Sequence, residues 1–179
     1  TRIDENTAYV NLIIKRKEAP APHVKNGEIF IPDAMEDSDE ILGSITHEAQ
    51  HLVSDPIDFQ RYLDGIEAIK KTFRLTPQEA QELGNIASDL TIEHHASKNQ
   101  TLREYRTKEL LKLYQKQKPQ HPIAKELFGL YARFHQIKEI TEKPTTLEAV
   151  KEALKQPDRK ARYVEIARAF RDLQRAEQR

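Results

Sequence analysis

Cysteine and tryptophan are both missing from the 179 residues, and there are only one methionine and five glycines. Without thiols the chain has no disulfide, no cysteine-ligated zinc and no thiol nucleophile. Without Trp, and with six Phe and six Tyr, its core must come mostly from Leu, Ile, Val and Ala. No apolar run approaches the ~20 residues of a membrane helix, and no short apolar leader segment stands out. No glycine-rich loop is present to cradle a phosphate. Apolar content is 37%, low for a globular chain but enough for a moderate core. These absences predict a cytoplasmic protein with no membrane partner.

Net charge is also missing, with 29 basic residues against 29 acidic ones, yet the balance is uneven along the chain. Residues 101–179 hold 19 Lys and Arg against 11 Asp and Glu, while residues 1–100 hold 10 against 18. An acidic half joined to a basic half predicts helical layers that attract each other within one fold. The basic residues are interleaved with Glu rather than clustered, so a nucleic-acid partner is possible but not favoured.

One stretch specifies a chemistry. His47-Glu48-Ala49-Gln50-His51 reads H-E-x-x-H. On a helix, positions four apart share a face, so His47 and His51 can hold one ion between their imidazoles. Glu48 sits one residue round, where it can reach a water on that ion without binding the ion. The flanks Ser44-Ile45-Thr46 and Leu52-Val53 are uncharged in a chain that is 32% charged. Ile41, Ile45, Ala49 and Leu52 follow helical spacing and predict a core stripe, with both His pointing away from it. The plain alternative is a surface helix that happens to carry two His and a Glu.

The rest of the N-terminal half gives the motif a setting. Tyr9 to Ile14 can be a strand or a short helix. His23-Val24-Lys25 and Glu28-Ile29-Phe30-Ile31 flank Asn26-Gly27, a strong hairpin signal. Asp55-Pro56 ends the motif helix, and residues 58–73 predict a second one. Thr76-Pro77-Gln78-Glu79 is a capping box with Pro at the first helical position, opening a long helix to about Ser97. On it Asn85, Asp89 and Glu93 recur every four residues and share one face. One acid there can bind a metal while the next, a turn on, accepts the other ring N–H of a ligating His. A solvated acidic face is the alternative. His94 and His95 are expected at the helix end, where the dipole favours them. Residues 101–179 predict helices at about 101–117, 122–138, 145–156 and 158–177, punctuated by Pro119, Pro122, Pro144 and Pro157.

Over roughly residues 20–100 these motifs resemble the zincin metallopeptidases, in particular the small, minigluzincin-type catalytic core of the gluzincin branch. The gluzincin pattern places E-x-x-x-D on the downstream helix, with Glu as the third ligand and Asp orienting a His. This chain departs from it. Asp89-x-x-x-Glu93 keeps both acids in swapped order, whereas Asn85-Ile86-Ala87-Ser88-Asp89 puts a neutral amide where the ligand should be. An amide brings no charge to offset a dication, so Asp89 is taken as the ligand, with Glu93 behind it and Asn85 the weakest of the three.

The resemblance implies a mostly α, α+β fold. A small N-terminal sheet would precede the active-site helix and the metal-ligand helix in a core over 1–100, with 101–179 a helical extension packed on it. It implies a Zn2+ held by His47, His51 and Asp89, and hydrolysis of a peptide or protein substrate by a metal-activated water with Glu48 as general base. It also implies that Glu28 to Ile31 is the substrate-facing edge of the sheet, unless the hairpin only covers the core. A Tyr or His that stabilises the oxyanion is expected in zincins, and Tyr62, Tyr105, His94 and His121 all qualify. Two other outcomes stay open: a zincin-fold scaffold that no longer cleaves, and a nucleic-acid-associated protein using its basic C-terminal helices.

Overall fold

The computed structural model describes residues 12–53 and 59–177. It is an α+β fold, mostly α, and among the described residues three short strands precede seven helices. The strands are β1 (Ile13–Lys17), β2 (His23–Lys25) and β3 (Glu28–Pro32). Asn26 and Gly27 both take positive φ, 52° and 76°, which lets a two-residue turn match the twist of β2 and β3. Gly27 supplies this without a Cβ penalty.

The sheet order is β1-β3-β2. β2 pairs antiparallel with β3, while β1 pairs parallel to it, with Ile14 opposite Ile29. This corrects the expectation that Glu28 to Ile31 forms the free edge. β1 has taken the far side of β3, leaving β3 central and β2 as the strand beside the cleft. Of the Tyr9–Ile14 segment, Ile13 and Ile14 lie in β1, and Tyr9 to Asn11 fall outside the described residues.

β3 alternates as a half-buried strand should. Ile29 and Ile31 are fully buried and pack with Leu52 and the Ile41, Ile45 and Ala49 side of helix α1 (Ser38–Val53). The stripe read from the sequence is therefore the face that lies on the sheet. Asp37 starts α1 by accepting the backbone N–H of Asp39 and Glu40 at 3.0 and 3.1 Å. The Asp55-Pro56 stop falls outside the described residues.

α2 (Phe59–Phe73) leads to α3 (Pro77–Ala96), whose capping box forms as expected: Glu79 donates its backbone N–H to Thr76 Oγ1, and Glu79 Oε2 accepts from Thr76 N. Then follow α4 (Gln100–Gln117), α5 (Pro122–His135), α6 (Leu147–Leu154) and α7 (Arg159–Glu177). The main core is shared by α2, α3, α5, α6 and α7. Ile69, Leu83 and Leu90 of α2 and α3 pack with Leu130, Phe134, Val150, Tyr163, Ile166 and Phe170 of the later helices. Among the described residues no helix is long and apolar enough to cross a membrane.

α4 lies antiparallel on α1. Lys112 pairs with Asp37 and Asp39 at 2.6 and 3.1 Å, and Lys116 pairs with Glu40. Part of the acidic-to-basic asymmetry is thus spent inside the fold. Further along, the helices approach so closely at Gly43 that an added Cβ would sit 2.3 Å from the Cβ of Glu109.

Candidate metal centre

α1 and α3 meet along one side of an open cleft of about 890 Å³. β2 and its turn form one wall, α1 contributes His47, Glu48 and His51, and α3 contributes Asn85, Ser88 and Asp89. Helical spacing puts the two His rings on the same side of α1, perpendicular to each other with centroids 4.9 Å apart. The acid spacing of α3 brings Asp89 up against both. Asp89 Oδ1 lies 3.2 Å from His51 Nε2 and 3.6 Å from His47 Nε2. One ligand atom from each of the three residues can be chosen so that all lie within 4.8 Å of one another.

These separations suit a cation at the centre. Ligand atoms at zinc bond lengths, about 2.0–2.1 Å, stand roughly 3.3 Å apart in a tetrahedron. The chemistry of the donors agrees. Glu93 Oε1 lies 2.8 Å from His47 Nδ1, and a carboxylate can only accept, so Nδ1 carries the proton. In neutral His47 that leaves a lone pair on Nε2, facing the Asp89 carboxylate. Two electron-rich groups face each other stably only with a cation between them, either a metal ion or a proton.

With a proton there, the electrostatics run as follows. Burial disfavours charge on His47, but hydrogen bonding to Asp89 and Glu93 outweighs it and lifts the imidazole to about 10. Burial also pushes Asp89 up, and its contacts with His47 and His51 outweigh this and hold the carboxyl at about 2. His51 has a weaker second contact, with Ser88 Oγ 3.4 Å from Nδ1.

Glu93 stands behind His47 and is 1% exposed. Its Oε1 also takes Arg106 Nη2 at 2.5 Å, and its Oε2 takes His135 Nε2 at 2.6 Å. Burial would raise its pKa, but the Arg106 charge, then hydrogen bonds from His135 and His47, hold it well below the usual carboxylate range. Both Glu93 oxygens are thus committed to side-chain partners, and Glu93 lies outside the His47, His51 and Asp89 group. Arg106 reaches further. Its Nη1 donates to the Gly43 carbonyl at 3.1 Å and pairs with Glu109, whose Oε1 accepts from Ser44 Oγ at 2.7 Å. Burial pushes Glu109 up against the pull of Arg106 and Ser44.

The other residues singled out from the sequence fall as follows. Asn85 lines the cleft, where its Oδ1 accepts the Tyr62 hydroxyl. Of the four oxyanion candidates only Tyr62 lines this cleft. His121 caps α5, accepting Ile123 N at 3.2 Å, and lines a separate cavity. His94 packs edge-on to Phe134 at the end of α3, and His95 beside it is exposed. Arg106, Glu109, His135 and Ser88 had no signal as site residues. The one available hint is the i,i+3 spacing of Arg106 and Glu109 on α4, which also suits an ordinary surface pair. His23 lines the cleft from β2, stacked on Phe30 with centroids 5.1 Å apart.

No protein-family model, no curated protein and no solved structure matches the chain. The functional reading therefore stands on the side chains alone.

Proposed function

We propose that this chain is a zinc-dependent metallopeptidase. The observation that carries the reading is the convergence of His47 Nε2, His51 Nε2 and Asp89 Oδ1 in an open cleft that Glu48 also lines. His47, His51 and Asp89 would hold the zinc, and their single negative charge leaves it electrophilic. When bound, zinc supplies a Lewis acid that polarises a carbonyl and makes water acidic near neutral pH. Glu48, 9% exposed on the cleft wall, accepts the proton of the attacking water and returns it to the leaving amine. Among the described residues β2 bonds to β3 along one edge only, and its other edge would offer backbone N–H and C=O groups to an extended peptide. Tyr62 also lines the cleft, and its hydroxyl would have to turn from Asn85 Oδ1 to serve a developing oxyanion.

A second reading rests on the same contacts. With a proton in place of metal, His47 pairs with Asp89 and Glu93 as a half-buried ionic cluster, and the protein is a scaffold that binds without cleaving. Elemental analysis of purified protein separates the two. The metallopeptidase reading expects one zinc per chain, lost in His51→Ala. It also expects Glu48→Gln to keep its zinc while hydrolysis of a peptide library falls by about a hundred- to ten-thousand-fold. A wild-type protein that takes up no zinc when it is supplied returns the scaffold reading.

A further inference from the structure

We propose that Arg106 and His135 are positioning residues of the metal centre: from α4 and α5 they clamp Glu93, and through it fix the His47 ring so that Nε2 faces the metal. The proposal rests on the zinc reading and adds to it a role for the C-terminal helices.

Three observations carry it. First, a free carboxylate on a helix rotates, and a ligand-orienting carboxylate works only if its own rotamer is held. Glu93 is held from three directions, by His47 Nδ1 at 2.8 Å, Arg106 Nη2 at 2.5 Å and His135 Nε2 at 2.6 Å. Second, His135 has no other polar task among the described residues. It is 3% exposed, and its Nδ1 is buried with no hydrogen-bond partner, so its one hydrogen bond goes to Glu93. Burying a half-satisfied imidazole costs stability, and a purely structural position would be served better by an apolar side chain. Third, Arg106 grips both things that aim His47. It shares Glu93 Oε1 with the His47 ring, and it also binds the Gly43 carbonyl, one helical turn before His47, which receives the His47 backbone N–H within α1. Only a planar guanidinium spans these acceptors together with Glu109.

The test is zinc affinity of the full-length chain by competition with a chromogenic chelator, read beside the ring N–H proton resonance of His47 in the zinc-loaded protein. His135→Leu removes the donor at similar bulk and is expected to weaken zinc binding about 10- to 100-fold and to shift that resonance. His135→Gln returns an N–H donor at the place of Nε2 and is expected to restore most of both. If His135→Leu binds zinc as the wild type does while His51→Ala loses it, the proposal is overturned and the zinc reading stands. Equal losses in the Leu and Gln variants also overturn it, because packing and not the hydrogen bond would then be responsible. If the Leu variant fails to fold, Arg106→Lys decides. Its ammonium keeps the charge but cannot span Glu93 and the Gly43 carbonyl, and wild-type affinity there overturns the proposal. A wild-type chain that binds no zinc overturns reading and proposal together.

Discussion

On the zinc reading, His47 would face opposite demands with and without the metal, and pH separates them. Without metal its pKa is about 10, raised above the unfolded value near 6.5 by Asp89 and Glu93 against the cost of burial. A raised histidine contributes stability that is fully present below pH ~6.5 and is lost as pH climbs through about 10. Asp89, lowered to about 2 from 3.8, contributes stability above pH ~3.8 that is lost as pH falls through about 2. Metal-free protein is therefore expected to be best supported by this pair between about pH 4 and 6.5. Zinc must instead displace the proton from His47, so its apparent affinity should rise about tenfold per pH unit across the neutral range. Titration calorimetry at pH 7.5 in buffers of different ionisation heat should report at least one proton released per zinc. Zero release would show that His47 does not carry the proton assigned to it.

At the scale of elements, the position of α4 on α1 is set by Gly43. A methyl group there would lie 2.3 Å from Glu109 Cβ, so Gly43→Ala must push the helices apart and shift Arg106. The expected cost is about 1–3 kcal/mol from overpacking, together with weaker zinc binding. Gly65→Ala is the control: it meets Tyr163 at 2.6 Å, in the main core and away from the cleft, and should lower stability while leaving zinc affinity unchanged. Thermal melts beside chelator competition distinguish the two.

The elements also show what a sequence carries. α1, α3 and the β2–β3 turn are legible because each is written locally, in helical spacing, in the Thr76–Glu79 box and in Asn26-Gly27. The i,i+4 spacings that put His47 with His51, and Asp89 with Glu93, are local as well. The parallel partner of β3 is not, because β1 joins it across an intervening strand, and that one pairing decided which strand borders the cleft. Nor are Arg106 and His135. One Arg among several cations on a charged helix and a lone His at a helix end look solvent-facing until the fold turns both toward Glu93.

At the scale of the whole molecule, a bound zinc ties α1 to α3 and should stabilise the fold as any ligand of the native state does. Free zinc at 100 times its dissociation constant adds about 2.7 kcal/mol, which for a chain of this size raises the unfolding midpoint by roughly 5–11 °C. A chelator should return it, and Asp89→Asn should abolish the difference. The packing makes this a wide effect, since α3 buries its apolar face with α2 against α5, α6 and α7, while α1 packs on β3 and is tied by ion pairs to α4. The clamp on Glu93 spans the chain as well, reaching 42 residues ahead to His135. During synthesis that separation becomes time. At ~5–20 residues per second, His135 is made roughly 4–17 s after His51. On the clamp proposal a growing chain displays His47 well before His135 exists to hold Glu93, and the clamp could close only once α5 has emerged and docked.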